Sequence, residues 1–122
     1  MANVMASPSR YVQGAGELNN LCEHVKLLGT KLFVLTSPSG KSRVEDSLSA
    51  SAKTSGATLV YEAFRGECSM AEIQRVKAAF EASGCEVVVG IGGGKIHDTA
   101  KAVAYYAGVP VVIVPTIAST DA

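Results

Sequence analysis

Val87-Val88-Val89-Gly90-Ile91 runs directly into Gly92-Gly93-Gly94-Lys95. An unbroken run of β-branched residues suits a strand covered on both faces, because neither set of alternating side chains meets water. The glycines that follow allow positive φ and a sharp reversal. Helical spacing then takes over, with Ile96, Ala100, Val103 and Ala104 on one side. Val111 to Val114 is apolar again and reads as the next strand. Strand, glycine turn, helix and strand make a βαβ unit, whose two strands lie parallel and whose crossover is right-handed.

The same alternation extends upstream. Leu59 to Phe64 reads as a strand, and Ser69 followed by Glu72 is a capping box opening a helix with the stripe Ile73, Val76 and Phe80, closed by Gly84. Leu32 to Thr36 is a further strand covered on both faces, followed by Ser37-Pro38-Ser39-Gly40, whose residue types predict a loop. Val44, Leu48 and Ala52 predict a helix ending near Gly56. Leu18, Leu21, Val25 and Leu28 predict another that stops at Gly29, and Arg10 to Gln13 a short first strand. The expected fold class is therefore α/β: a Rossmann-like open, mostly parallel sheet with helices on both faces.

Composition narrows the function. The chain has 122 residues, 48% of them hydrophobic, which suits one domain around one core, here expected over residues 1–122. Eleven basic and eleven acidic residues give zero net charge, so no electrostatic partner such as nucleic acid or an anionic membrane is implied. Met1 to Arg10 has no apolar core of the kind a signal peptide needs. Val103 to Ala118 is too short to span a bilayer and contains Pro110 and Pro115. Cys22, Cys68 and Cys85 form no CxxC pair and are expected as reduced thiols packed like small hydrophobes, in a cytoplasmic protein.

Two segments carry chemistry. The glycine run opens a helix, whose first N–H groups and partial positive charge suit a phosphate or pyrophosphate, and Lys95 adds a charge or braces the loop. The run is not G-x-G-x-x-G, which needs a third glycine where Lys95 or His97 stands, nor a Walker A loop, where lysine falls on the second glycine. A tight turn without a ligand is the competing reading, set against the entropy of ordering three consecutive glycines. The second segment, Pro115-Thr116-Ile117-Ala118-Ser119-Thr120-Asp121, follows the last strand at the carboxyl edge, where open sheets bind ligands. Its hydroxyls and carboxylate suit a polar ligand or ordinary capping. His24 and His97 have no metal-ligand spacing and read as structural, and Asp98 is explained by the helix dipole. Tyr105 and Tyr106 are expected to pack on the sheet and its rim. The Ser-Pro-Ser-Gly after the second strand argues against a phospho-acceptor domain, which needs clustered carboxylates there.

Gly-Ile-Gly-Gly-Gly-Lys at 90–95, Asp-Thr-Ala-Lys-Ala at 98–102 and Pro-Thr-Ile-Ala-Ser-Thr-Asp-Ala at 115–122 together resemble the glycerol dehydrogenase branch of the iron-containing alcohol dehydrogenase family. Ser7-Pro8, Tyr11 to Gly14 and Gly66-Glu67-Cys68-Ser69 carry the likeness over the whole chain; the glycine–lysine motif alone also fits dehydroquinate synthases. The resemblance implies that Gly93, Gly94 and Lys95 hold the NAD pyrophosphate, that Thr116 and Ser119 contact the nucleotide, and that Asp121 binds hydroxyls of glycerol or a similar small polyol. Many members carry an aspartate at the adenosine ribose, where this chain has Ser37, so selection of NAD over NADP is expected to be weak. The family's zinc or other divalent metal is held by an aspartate and two histidines in a helical C-terminal domain absent from these residues. The full-length enzyme is expected to be a homo-oligomer oxidising glycerol to dihydroxyacetone, and this chain to be its nucleotide-binding fragment, inactive alone. A non-catalytic dinucleotide-binding module, or a fragment of another dehydrogenase of this type, is the alternative.

Overall fold

The computed structural model describes residues 9–11 and 21–115. Strand β1 (Ser9–Tyr11), helix α1 (Leu21–His24), β2 (Lys31–Thr36), α2 (Pro38–Ser55), β3 (Thr58–Ala63), α3 (Met70–Ser83), β4 (Val87–Gly92), α4 (Gly94–Ala107) and β5 (Val111–Pro115) follow in order. Every strand pairing is parallel, and the sheet order is β1-β5-β4-β2-β3. The expected α/β layering is what forms. Val12, Gln13 and Leu18, assigned to the first strand and helix from sequence, lie outside the described residues.

Alternation along β2 builds two cores. Leu32 and Val34 face α1 and α2, meeting Leu21, Val44 and Leu48, while Phe33 and Leu35 face α3 and α4, meeting Val76, Phe80 and Ala100. Both faces are covered, so β2 is apolar from Leu32 to Leu35 and β4 is buried from Val87 to Ile91. Phe33 meets Phe80 edge to face, with ring centroids 5.4 Å apart. Fully burying each such ring is worth about 2–3 kcal/mol.

The sheet order determines where a ligand can enter. From β2 the chain crosses under α2 to β3, on one side; α3 then carries it back past β2 to β4, and α4 onward to β5. Crossovers running in opposite directions put their helices on opposite faces when each is right-handed. The carboxyl ends of β2 and β4 are therefore neighbours whose chains depart to opposite faces, and a crevice opens between them.

Several sequence expectations are corrected. Ser37-Pro38-Ser39-Gly40 is not a loop: Ser37 is the N-cap of α2, its Oγ accepting from the Gly40 N–H at 3.0 Å, and Pro38 is the first helical residue. The missing proline N–H would have been unpaired there in any case, so the helix begins with no intervening turn. The capping box at α3 is half formed. Ser69 Oγ accepts from the Glu72 N–H at 3.1 Å, but the Glu72 carboxylate turns to the Arg65 N–H and to Arg75. Tyr105 and Tyr106 are half exposed and meet each other edge to face instead of the sheet, because the stripe of α4 already buries Ala100, Val103 and Ala104. Of the cysteines, Cys22 is buried and Cys85 partly so, as expected, whereas Cys68 is exposed in the loop before α3. No helix among the described residues is long and apolar enough to cross a membrane.

Candidate functional site

The floor of the crevice is a single hydrogen bond. Thr36 Oγ1 donates to the Ile91 carbonyl at 2.8 Å, joining β2 to β4 one residue past their last paired positions, Leu35 and Gly90. Thr36 is buried, so this bond fixes the spacing of the two strand ends without competition from water. Gly40 lets the first turn of α2 close over it: a Cβ at position 40 would stand 2.6 Å from Thr36 Oγ1.

On the β4 side the glycines divide the work. Gly92 has φ +152°, outside the range of ordinary side chains, and makes the turn. Gly93 is the N-cap of α4, with no side chain capping that end and no acid in its first turn. The helix starts its own bonding only at the His97 N–H, which donates to the Gly93 carbonyl at 3.1 Å, so the N–H groups of Gly94 to Ile96 have no partner within the helix. A Cβ built on Gly93 or Gly94 meets nothing within 4 Å, so the space beside both is open. Gly90, one pleat earlier, is a packing glycine: a Cβ there would come within 2.7 Å of Ala100 Cβ. A tight turn, an open backbone and a close helix–strand contact are the three services glycines perform in dinucleotide-binding turns, here at a different spacing.

Lys95 leans to Glu67, Nζ to Oε2 3.1 Å, across the loop between β3 and α3. Both are well exposed, so the pair is weak and leaves the ammonium available to a stronger anion. Behind that loop, Arg75 donates to Glu62 at 2.7 Å and to both oxygens of Glu72. Hydrogen bonds from Arg75, joined by the Arg65 N–H, hold the Glu72 carboxyl below the usual carboxylate range. Glu67, Thr36 and Gly40 escaped sequence reading, because each acts through a contact between segments far apart in the chain.

On the β2 side, Ser37 lines a cleft of about 260 Å³ with Lys41, Tyr61 and Glu62. Thus Ser37 and the start of α4 at Gly93 to Lys95 lie beyond the ends of adjacent strands. Thr116, Ser119 and Asp121 lie outside the described residues; Pro115, just before them, pairs with Gly92 at the glycine turn. His97 is partly buried, and its Nε2 has no hydrogen-bond partner among the described residues. No group of three or more His, Cys, Asp or Glu among the described residues is arranged to hold a metal ion.

The family model for iron-containing alcohol dehydrogenases matches residues 8–122. The chain belongs to that family. It is 42% identical to the glycerol dehydrogenase of Escherichia coli O6:H1 over 122 residues, all of this chain and 33% of that one. It is 49% identical to that of Thermotoga maritima over 117 residues, covering 94% of this chain and 31% of the relative. The crystal structure of a probable glycerol dehydrogenase from Sinorhizobium meliloti superposes with a TM-score of 0.76 at 38% identity, over 92% of this chain and 29% of that one. The chain therefore spans about a third of the length of the curated relatives it matches.

Proposed function

We propose that this chain is the nucleotide-binding part of an NAD-dependent glycerol, or closely similar polyol, dehydrogenase of the cytoplasm. The observation that carries the reading is the start of α4: N–H groups without intrahelical partners, no cap, and open space beside Gly93 and Gly94. That is a cradle for a pyrophosphate, set at the switch point of a parallel sheet. Glycerol dehydrogenases among the relatives supply the reaction class.

In this reading the Gly94 and Lys95 backbone and the Lys95 ammonium hold the pyrophosphate, and Ser37 meets the adenosine ribose across the crevice. Thr116 and Ser119 contact the nucleotide, and Asp121 accepts hydrogen bonds from the polyol hydroxyls, on a segment that starts beside the glycine turn at Pro115. Bound NAD supplies the acceptor for a hydride leaving the secondary carbinol. The ligands of the divalent metal, and a homo-oligomeric assembly, belong to a longer protein of the relatives' length.

The test is Gly94→Val, read by calorimetric titration with NAD. Nothing lies within 4 Å of the new Cβ, so the fold is retained, as circular dichroism checks. The branched side chain fills the phosphate's approach, and NAD binding is lost. Unchanged affinity in the folded variant would remove Gly94 from the site.

A further inference from the structure

We propose that Glu67 is an internal competitor for the pyrophosphate: its carboxylate holds the Lys95 ammonium, and a dinucleotide must displace it to be bound. This rests on the dinucleotide reading above and concerns what sets the affinity of that site.

The contact joins two distant segments. Lys95 is the second residue of α4, so its backbone N–H belongs to the unpaired first turn. Its side chain leans the other way, to the loop between β3 and α3, where Nζ lies 3.1 Å from Glu67 Oε2. Twenty-eight positions separate the two residues. Lys41–Glu45 and Lys77–Glu81 are pairs of another kind, one helical turn apart at the surface, which helical spacing alone brings together. Glu67 and Lys95 meet because parallel strands deliver the ends of β3 and β4 to the same edge of the sheet.

The loop that carries Glu67 is anchored on both sides of it. The N–H of buried Phe64 donates to the Thr36 carbonyl at 2.9 Å. The Arg65 N–H donates to Glu72 Oε2 at 2.9 Å, and Arg75 Nη2 donates to the Ala63 carbonyl at 2.9 Å. Gly66 turns the chain at φ +108°, and Ser69 caps α3. Glu67 therefore stands on a fixed backbone, and the freedom left to the pair lies in its two side chains.

Those side chains are 64% exposed at Lys95 and 77% exposed at Glu67, so water screens the pair and it parts readily. A pyrophosphate brings two charges against the carboxylate's one, and the backbone N–H groups at the start of α4 meet it as well. It therefore takes the ammonium. Two anions on one ammonium repel each other even in water, so the carboxylate leaves instead of sharing. The flexible four-carbon stem of lysine allows the transfer. Each binding event forfeits the Glu67 contact, and the affinity falls below what Lys95 alone would give.

Calorimetric titration of the purified chain with NAD compares wild type with Glu67→Gln, whose side chain keeps its size and loses its charge. Glu67 is exposed, so the variant folds, as circular dichroism checks. NAD should bind Glu67→Gln about three- to fivefold more tightly at low ionic strength, the upper range for an exposed ion pair, and the gain should shrink at high salt. A second measurement needs no dinucleotide. Acylation of Lys95 by a small amine-reactive ester, mapped by mass spectrometry, should run about two- to threefold faster in the variant, because the ammonium is no longer held. NAD affinity equal to or weaker than that of wild type, or an unchanged acylation rate at Lys95, overturns the competitor and leaves the dinucleotide reading standing. Folded protein that binds no NAD with either residue at position 67 overturns that reading and the competitor with it.

Discussion

Gly90 and Gly94 stand four residues apart in one glycine-rich run and do opposite things. At Gly94 a side chain would meet only open space; at Gly90 it would meet Ala100 Cβ at 2.7 Å, between a central strand and the helix packed on it. Neither backbone can retreat cheaply from a close-packed interior. Gly90→Ala is therefore expected to destabilise the fold by about 1–3 kcal/mol, the usual range for forcing extra atoms into a filled core. Denaturant unfolding reads this directly, and an unchanged midpoint would mean that α4 slides on the sheet. The glycine run was legible in the sequence as a sharp turn opening a helix, but its division of labour was not. Which glycine turns, which stays open and which packs depends on where α4 lies against β4, and that distance is set by Ala100, ten residues on.

Elements were legible wherever apolar spacing marks them, and least so where polar residues decide. Ser37-Pro38-Ser39-Gly40 has the residues of a turn, yet the same pair Ser-Pro is an N-cap followed by a first helical residue, and α2 begins directly where the β2 ladder with β3 ends at Thr36. At α3 the Ser-x-x-Glu pattern gave the right start, but Glu72 is taken by Arg75 and the Arg65 N–H, and so ties the helix to β3 instead of closing its own cap. This has a pH consequence. The Glu72 carboxyl is held below its ordinary value, chiefly by hydrogen bonds from Arg75. A group whose pKa is lower folded than unfolded adds stability above the unfolded value, and loses it as pH falls through the folded one. Glu72→Gln should lower stability at neutral pH by about 1.5–3 kcal/mol, the scale of hydrogen bonds to a charged group. Melting curves from neutral to acid pH should show the gap between wild type and Glu72→Gln closing as pH falls. A gap that stayed constant would show that ionised Glu72 does not contribute.

At the scale of the whole molecule, the carboxyl edge of the sheet carries the crevice proposed for the dinucleotide, and the described residues offer no cluster of metal ligands beside it. Thr36 and Ile91 lock the two central strand ends, Ser37 and Gly93 open helices onto opposite faces, and the crevice between them suits a long, flexible anion. Oxidising a carbinol asks for more. The alcohol oxygen must be polarised and its carbon held against the hydride acceptor, and orientation alone can account for several kcal/mol of a barrier. A catalytic zinc takes about three protein ligands and an open position. The sequence has two histidines, His24 and His97, seventy-three positions apart, and the described residues bring no three candidate ligands together. Asp121 can accept a hydrogen bond from a polyol hydroxyl, but a carboxylate cannot draw electron density from the oxygen as a metal does. The 122-residue chain is therefore expected to bind dinucleotide and to oxidise no glycerol, even with zinc added. The measurement is the absorbance of newly formed reduced cofactor over purified, folded chain with glycerol and zinc, against a blank without glycerol. Glycerol-dependent turnover that disappears in Asp121→Ala would overturn the expectation, and would mean that several chains assemble a metal site between them.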